Sequence, residues 1–138
     1  MSSRPISQAV IAVLLAGALT ACGDGDGEDL VEEGSLRDCL AGAGLKVEAP
    51  DVAAGARLGN VSPDFRAITT EGDGLDVIVH GTEQKARRSA ADIRGALATF
   101  GAAGSEVVAR RNAVVVFEQA PSGGSSEAVE SCLEDSGR

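Results

Sequence analysis

The residues best suited to chemistry are a histidine, an acid and two hydroxyls near the middle of the chain. His80 is the only histidine among 138 residues, and Asp76 precedes it by four positions. A carboxylate that orients a histidine beside the hydroxyl of Thr82 or Ser89 would form a nucleophilic constellation. Strand residues four positions apart are separated by about 13 Å, which is too far for an Asp76–His80 hydrogen bond. We therefore interpret His80 as a half-exposed residue at the end of a strand.

Other catalytic and ligand-binding motifs are missing from the sequence. No serine lies in a G-x-S-x-G turn, and the glycines match neither a P-loop nor a dinucleotide fingerprint. His80 has no partner at metal-ligand spacing, and Cys39 is far from Cys132 in the chain. These observations predict that the protein is not an enzyme and that it holds no metal or cofactor.

Basic side chains are the most suggestive surface feature. Several lie on the polar side of a predicted helix, and two more lie at the tip of a predicted hairpin. If they converge, they form a candidate patch for an anionic partner such as a cell-wall polymer or lipid headgroups. The alternative is that they only balance the charge of an acidic chain. The residues are Lys85, Arg87, Arg88, Arg94, Arg110 and Arg111.

The N-terminus has the pattern of an export signal. Arg4 precedes an apolar run at residues 9–19 that is too short to span a membrane. The sequence Leu19-Thr20-Ala21-Cys22 then resembles the lipobox of bacterial lipoproteins. This resemblance covers the first 22 residues and implies cleavage before Cys22 and attachment of a diacylglycerol to its thiol. Two acyl chains suffice for stable anchoring. The alternative is an ordinary secreted protein.

The cysteine count supports this interpretation. Three cysteines leave one unpaired, and lipid on Cys22 would account for it. Cys39 and Cys132 then remain as a pair in an oxidising compartment, and we predict a disulfide between them. A loop of this length contributes roughly 4.6 kcal/mol in the chain-entropy model.

Charge and composition divide the chain into three segments. Residues 1–21 are the predicted signal peptide, residues 22–34 (CGDGDGEDLVEEG) are a predicted acidic and glycine-rich tether, and residues 35–138 are a predicted small domain. The net charge of −9 argues against nucleic acid as a partner.

The domain shows alternating helix and strand patterns. Ser35 and Asp38 fit a capping box for a first helix that ends near Gly44. Two hairpins are predicted, at residues 65–81 and 106–118, and helices follow each of them. In the second helix Thr82 is the predicted N-cap, and the apolar stripe ends at Phe100.

This order, α-β-β-β-α-β-β-α, predicts an α+β fold. We expect a two-layer sandwich with a mainly antiparallel sheet of about five strands and helices on one face. The first and last helices should lie side by side, joined by the Cys39–Cys132 disulfide.

The predicted function is that of a binding or interaction module at the cell envelope. The membrane is the expected partner through lipid on Cys22, on the extracytoplasmic face, and an envelope protein or anionic polymer is the second expected partner. A small-ligand-binding lipoprotein, a structural envelope protein and an enzyme are the alternatives.

Overall fold

A computed structural model describes residues 29–100, 102 and 104–137. The strands are β1 (Lys46–Glu48), β2 (Phe65–Ile68), β3 (Gly74–Val79), β4 (Glu106–Arg110) and β5 (Ala113–Phe117). The helices are α1 (Glu33–Gly42), α2 (Ala54–Arg57), α3 (Glu83–Thr99) and α4 (Gly123–Asp135). Apart from the short α2, which lies in a segment expected to be loop, this is the predicted order.

The described strands form one antiparallel sheet in the order β1-β2-β3-β5-β4. Both predicted hairpins are present, as β2–β3 and as β4–β5 across Arg111 and Asn112. Strand β3 pairs with β5 through Val77 opposite Val115, which joins the two hairpins at the centre of the sheet. The predicted α+β class and five-stranded sheet are therefore confirmed.

The placement of the helices differs from the prediction, because they cover both faces of the sheet. Helices α1 and α4 pack on the face that carries Leu75, Val77 and Val115. Helices α2 and α3 pack on the opposite face, against Val114 and Val116. The reason is that every residue of β5 is apolar, so both sides of this central strand need cover. The fold has three layers rather than two.

Two helix ends, the start of α1 and the end of α3, differ from the sequence prediction. Helix α1 begins at Glu33, with Glu32 as N-cap, so Ser35 lies inside the helix and does not cap it. Helix α3 begins as predicted, because the Thr82 hydroxyl accepts the Lys85 N–H. Phe100, expected in the apolar stripe, is the C-cap and is 66 % exposed.

The disulfide links the two helices on the first face. Cys39 of α1 is bonded to Cys132 of α4, with 5.6 Å between the Cα atoms, which confirms the predicted pair. Beside it Leu40 and Leu133 are fully buried in the same core. The lipobox and most of the predicted tether lie outside the described residues. Within the described part, none of the helices is long and apolar enough to cross a membrane.

Candidate binding site

Two polar clusters interrupt the apolar face of the sheet beneath α2 and α3. Asp76, Ile78 and His80 point to this face, because side chains alternate along β3 and its continuation. Asp76 belongs to the first cluster, and His80 to the second.

The first cluster, here the Asp76 quartet, consists of Arg57, Arg66, Asp76 and Glu118. Arg57 Nη2 donates to Asp76 Oδ2 over 3.1 Å, and Arg66 Nη1 donates to Glu118 Oε1 over 2.6 Å. Arg66 Nη1 is also 3.5 Å from Asp76 Oδ1. Two cations and two anions therefore neutralise one another inside the fold, and sequence reasoning did not detect this network.

The position of Asp76 explains why the quartet is needed. Its side chain is fully buried, and burial raises the pKa of its carboxyl above the ordinary value, although Arg66 and Arg57 oppose this shift. Glu118 is more exposed, and its hydrogen bond from Arg66 lowers the pKa of its carboxyl. A buried carboxylate costs several kcal/mol unless it is paired, so the quartet is required for stability.

Gly74 makes room for the quartet. A Cβ atom at this position would lie 2.0 Å from Arg66 Nη2 and 2.8 Å from Glu118 Oε2. Any larger residue would displace the guanidinium that neutralises Asp76. The quartet is therefore a closed structural unit with no space for a ligand at this glycine.

The second cluster surrounds an open groove of about 290 Å³, here the His80 groove. His80 lies at the end of β3, and four polar residues of α3 form the opposite wall. Their spacing of i, i+3, i+4 and i+7 places them on one side of the helix. The lining residues are Val61, His80, Lys85, Arg88, Ser89 and Asp92.

Two polar atoms of the groove are buried without hydrogen-bond partners. They are His80 Nε2 and Ser89 Oγ, and the Ser89 residue is only 8 % exposed. Buried polar atoms in native proteins are nearly always hydrogen-bonded, and exceptions call for an explanation. Because neither atom has a partner among the described residues, they do not form a bonded nucleophile–base pair. The Thr82 hydroxyl is used as a helix cap. The arrangement fits ligand binding better than nucleophilic catalysis.

The charges around the groove favour an anion. Burial lowers the pKa of His80, and Lys85 lowers it further, while Asp64 acts in the opposite direction. Lys85 and Arg88 make no ion pair within the described part of the chain. Lys85, Arg88 and Asp92 give the α3 wall of the groove a net charge of +1 in an acidic protein, while Asp64 lies near His80 on the opposite side.

The other basic residues of the predicted patch lie elsewhere. Arg87 pairs with Glu83 on the exposed side of α3, and Arg94 donates to the Val107 carbonyl over 3.0 Å. Arg110 lies 3.7 Å from Glu130 of α4, on the opposite face of the sheet.

Arg111 is the sixth basic residue, and it also faces away from the groove. Its φ of 55° is unusual for a side chain of this size, and its guanidinium donates to the Leu133 and Glu134 carbonyls near the end of α4. Of the six residues, the structure therefore brings only Lys85 and Arg88 together at the groove.

The start of the described chain is hydrogen-bonded to the end of the sheet that carries His80. Asn112, which is 2 % exposed, accepts the Val31 N–H and donates to the carbonyls of Val31 and His80. Arg111 Nη2 lies 3.4 Å from Asp29, and the Val31 side chain is buried in the core. Residues 29–33, which the sequence assigned to the tether, thus contact the domain at the His80 end of the sheet.

A sequence signal for the groove was present but ambiguous. The polar residues of α3 at positions 85, 88, 89 and 92 form a stripe beside its apolar stripe, but an ordinary solvated face has the same spacing. Only the packing of α3 onto the sheet puts Ser89 into a buried position. No group of His, Cys, Asp and Glu suited to a metal ion occurs among the residues that the structure describes.

Comparison of this chain with protein-family models, with curated proteins and with solved structures found no match.

Proposed function

We propose that this protein is a lipid-anchored module on the extracytoplasmic face of the cell membrane that binds its partner in the His80 groove. The anchor rests on the lipobox resemblance at Leu19-Thr20-Ala21-Cys22. The Cys39–Cys132 disulfide supports a location outside the cytoplasm, because such bonds persist in oxidising compartments.

One observation carries the choice of the groove. His80 Nε2 and Ser89 Oγ are buried, unpaired and next to two cations that have no carboxylate partner among the described residues. A bound ligand would supply the missing hydrogen bonds, and its free energy of binding would offset the desolvation of these groups.

The anchor is tested by mass spectrometry of the protein isolated from membranes. We expect the mature N-terminus at Cys22 with the added mass of a diacylglyceryl group, and we expect the Cys22→Ala variant to lack this mass. An N-terminus at another residue, or an unmodified Cys22, would rule out the anchor.

The binding surface is tested by site-specific photo-crosslinking in intact cells. A photoreactive amino acid replaces Asp92, which lines the groove, and in a matched control it replaces Glu134, which is exposed on α4. We expect one recurrent adduct from position 92 that is lost when Ser89→Ala is added. Equal labelling from both positions, or none from position 92, contradicts the assignment of the groove.

A further inference from the structure

The donors in the His80 groove point to a ligand class. Lys85 and Arg88 offer only hydrogen-bond donors, and the Ser89 hydroxyl can donate as well. Charge-assisted donors of this kind bind phosphate and carboxylate oxygens strongly, and arginine binds phosphate in a bidentate manner. Asp92 would repel an anion that extends along the whole wall, so the charged part of the ligand must be small.

The position of the groove favours phosphate over other anions. Asn112 links the backbone of Val31, where the chain enters the domain, to the backbone of His80. Between Cys22 and Val31 an extended chain spans at most about 30 Å. If Cys22 carries lipid, Val31 stays within that distance of the bilayer and the His80 end of the sheet lies next to it through Asn112, so phosphate groups are the abundant anions nearby.

We infer that the His80 groove binds a single phosphate group, held by Lys85, Arg88 and Ser89, with His80 at its edge. This inference rests on the proposed function, since it names the ligand of the same groove. The phosphate could belong to a lipid headgroup or to a soluble phosphate ester, and the chemistry of recognition is the same for both.

The negative overall charge of the protein excludes non-specific attraction as a source of phosphate binding. At a net charge of −9 the protein as a whole is repelled by anionic surfaces. Binding to phosphate therefore has to come from the local cations of the groove, and removal of one of them should abolish most of it.

His80 supplies a direct readout, because it is the only histidine in the chain. The imidazole proton signals of the untagged full chain in detergent micelles report on this one residue. The charged groups around it are Asp64 before β2 and Lys85, Arg88 and Asp92 of α3. A bound phosphate adds negative charge, so it should shift the imidazole signals and raise the pKa of His80.

The experiment titrates the chain with inorganic phosphate and with glycerol 3-phosphate, against sodium chloride at matched ionic strength. We expect a saturable shift of the His80 signals with phosphate and not with chloride. Arg88→Gln should weaken binding roughly tenfold or more, as expected for the loss of a charge-assisted hydrogen bond. Arg87→Gln is the matched control, since it removes the same charge from the adjacent, exposed position, and it should leave the affinity within about twofold.

Nanodiscs separate the two sources of phosphate. A shift of the His80 signals in discs of phosphatidylglycerol or phosphatidylcholine, relative to the chain in micelles of a phosphate-free detergent, identifies a lipid headgroup, because both lipids carry the phosphate. A shift only with the soluble ester identifies a soluble ligand. Each of these results supports phosphate as the ligand class.

Three results would overturn the inference. The first is a shift of equal size with chloride, and the second is equal weakening by Arg87→Gln and Arg88→Gln. The third is no shift with any phosphate probe. If the third result occurs while position 92 still gives a specific photo-adduct, the ligand class is wrong but the binding function stands.

Discussion

Asp76 and His80 lie on the same face of one strand and have opposite surroundings. Asp76 is fully buried, and its Oδ1 atom accepts no hydrogen bond within the described chain, yet Arg57 and Arg66 neutralise the carboxylate at distances of 3.1 and 3.5 Å. His80 is partly exposed, yet its buried Nε2 atom has no partner in the described chain, and neither does Ser89 Oγ across from it.

The difference between Asp76 and His80 separates buried polar groups that stabilise the fold from those that are available to a ligand. A network of opposite charges that neutralise one another adds rigidity, even where one oxygen lacks a hydrogen bond, as Asp76 Oδ1 does among the described residues. A pair of buried polar atoms without partners costs stability, and this cost is tolerated where binding restores the hydrogen bonds. The Asp76 quartet is therefore assigned to the fold, and the proposed binding function is placed in the His80 groove.

The largest expected effect comes from breaking the quartet. Arg66→Met should destabilise the protein by about 3–5 kcal/mol, because it removes a cation from beside the buried Asp76 carboxylate. Urea unfolding followed by circular dichroism measures this, since the chain lacks Trp and Tyr.

The matched substitution in the groove is Arg88→Met. It removes the same charge from a position with no ion pair in the described structure, so the free energy of unfolding should stay within about 0.5 kcal/mol. Similar losses for Arg66→Met and Arg88→Met would contradict the division between the two clusters.

A smaller effect is expected from Gly74→Ala. The new methyl group would overlap the Arg66 guanidinium and should cost about 1–3 kcal/mol through displacement of the quartet. Gly95→Ala on the exposed side of α3 is the control, where the methyl group meets nothing within 4 Å. There we expect a gain of about 0.5–1 kcal/mol from helix propensity. A neutral Gly74→Ala would mean that the quartet tolerates rearrangement.

Two buried serines test the unpaired hydroxyl directly. Ser89→Ala removes a hydroxyl without a partner and should raise the free energy of unfolding by up to about 1 kcal/mol. Ser136→Ala removes a hydroxyl that donates to the Cys132 carbonyl over 2.5 Å and should lower it by about 1 kcal/mol. The urea midpoints of both variants measure these changes in stability. Equal losses of stability for the two variants would show that the Ser89 hydroxyl is hydrogen-bonded in solution.

The smallest effect is in the pH dependence of stability. The pKa of His80 is lower in the folded state than its ordinary value of 6.5, so the unfolded chain binds more protons between these two values. Stability from this group is complete above pH 6.5 and is lost as the pH falls through the folded pKa. His80→Gln should remove this loss, measured as urea midpoints from pH 7.5 down to pH 5.

Asp76 provides the opposite sign when the urea midpoints are extended down to pH 3. Its folded pKa is raised above the ordinary 3.8, so its contribution to stability falls as the pH rises through the interval between the two values. Asp76→Asn should remove that fall and leave the His80 loss in place. If His80→Gln leaves the pH profile unchanged, burial does not govern its titration.

The sequence predicted the elements well where local signals were strong. Thr82 at the start of α3 and the two-residue turn at Arg111 and Asn112 are local features, and both are found where expected. The predicted start of α1 was wrong by three residues, because Ser35 resembles a cap but Glu32 occupies that position. The prediction that Phe100 belongs to the buried stripe of α3 was also wrong, because a periodic pattern does not show where the layer packed against a helix ends.

The candidate site was predicted only in part. His80, Lys85, Arg88 and Ser89 were all noted from the sequence, but as members of separate hypotheses. Their assembly depends on how α3 crosses the sheet, and this contact is set by packing between segments distant in sequence. The Asp76 quartet was missed for the same reason, since Arg57 and Glu118 lie far from Asp76 in the chain.

By itself the sequence determined the α+β class and the two hairpins, because hydrophobic periodicity and turn residues are local features. It also gave the Cys39–Cys132 pair, because the lipobox resemblance set Cys22 aside. Only the tertiary structure decided that helices cover both faces of the sheet and which charges are neutralised. Desolvation is the physical reason. It depends on the three-dimensional surroundings of a side chain, and at Asp76 and His80 those surroundings come from residues that no local pattern connects.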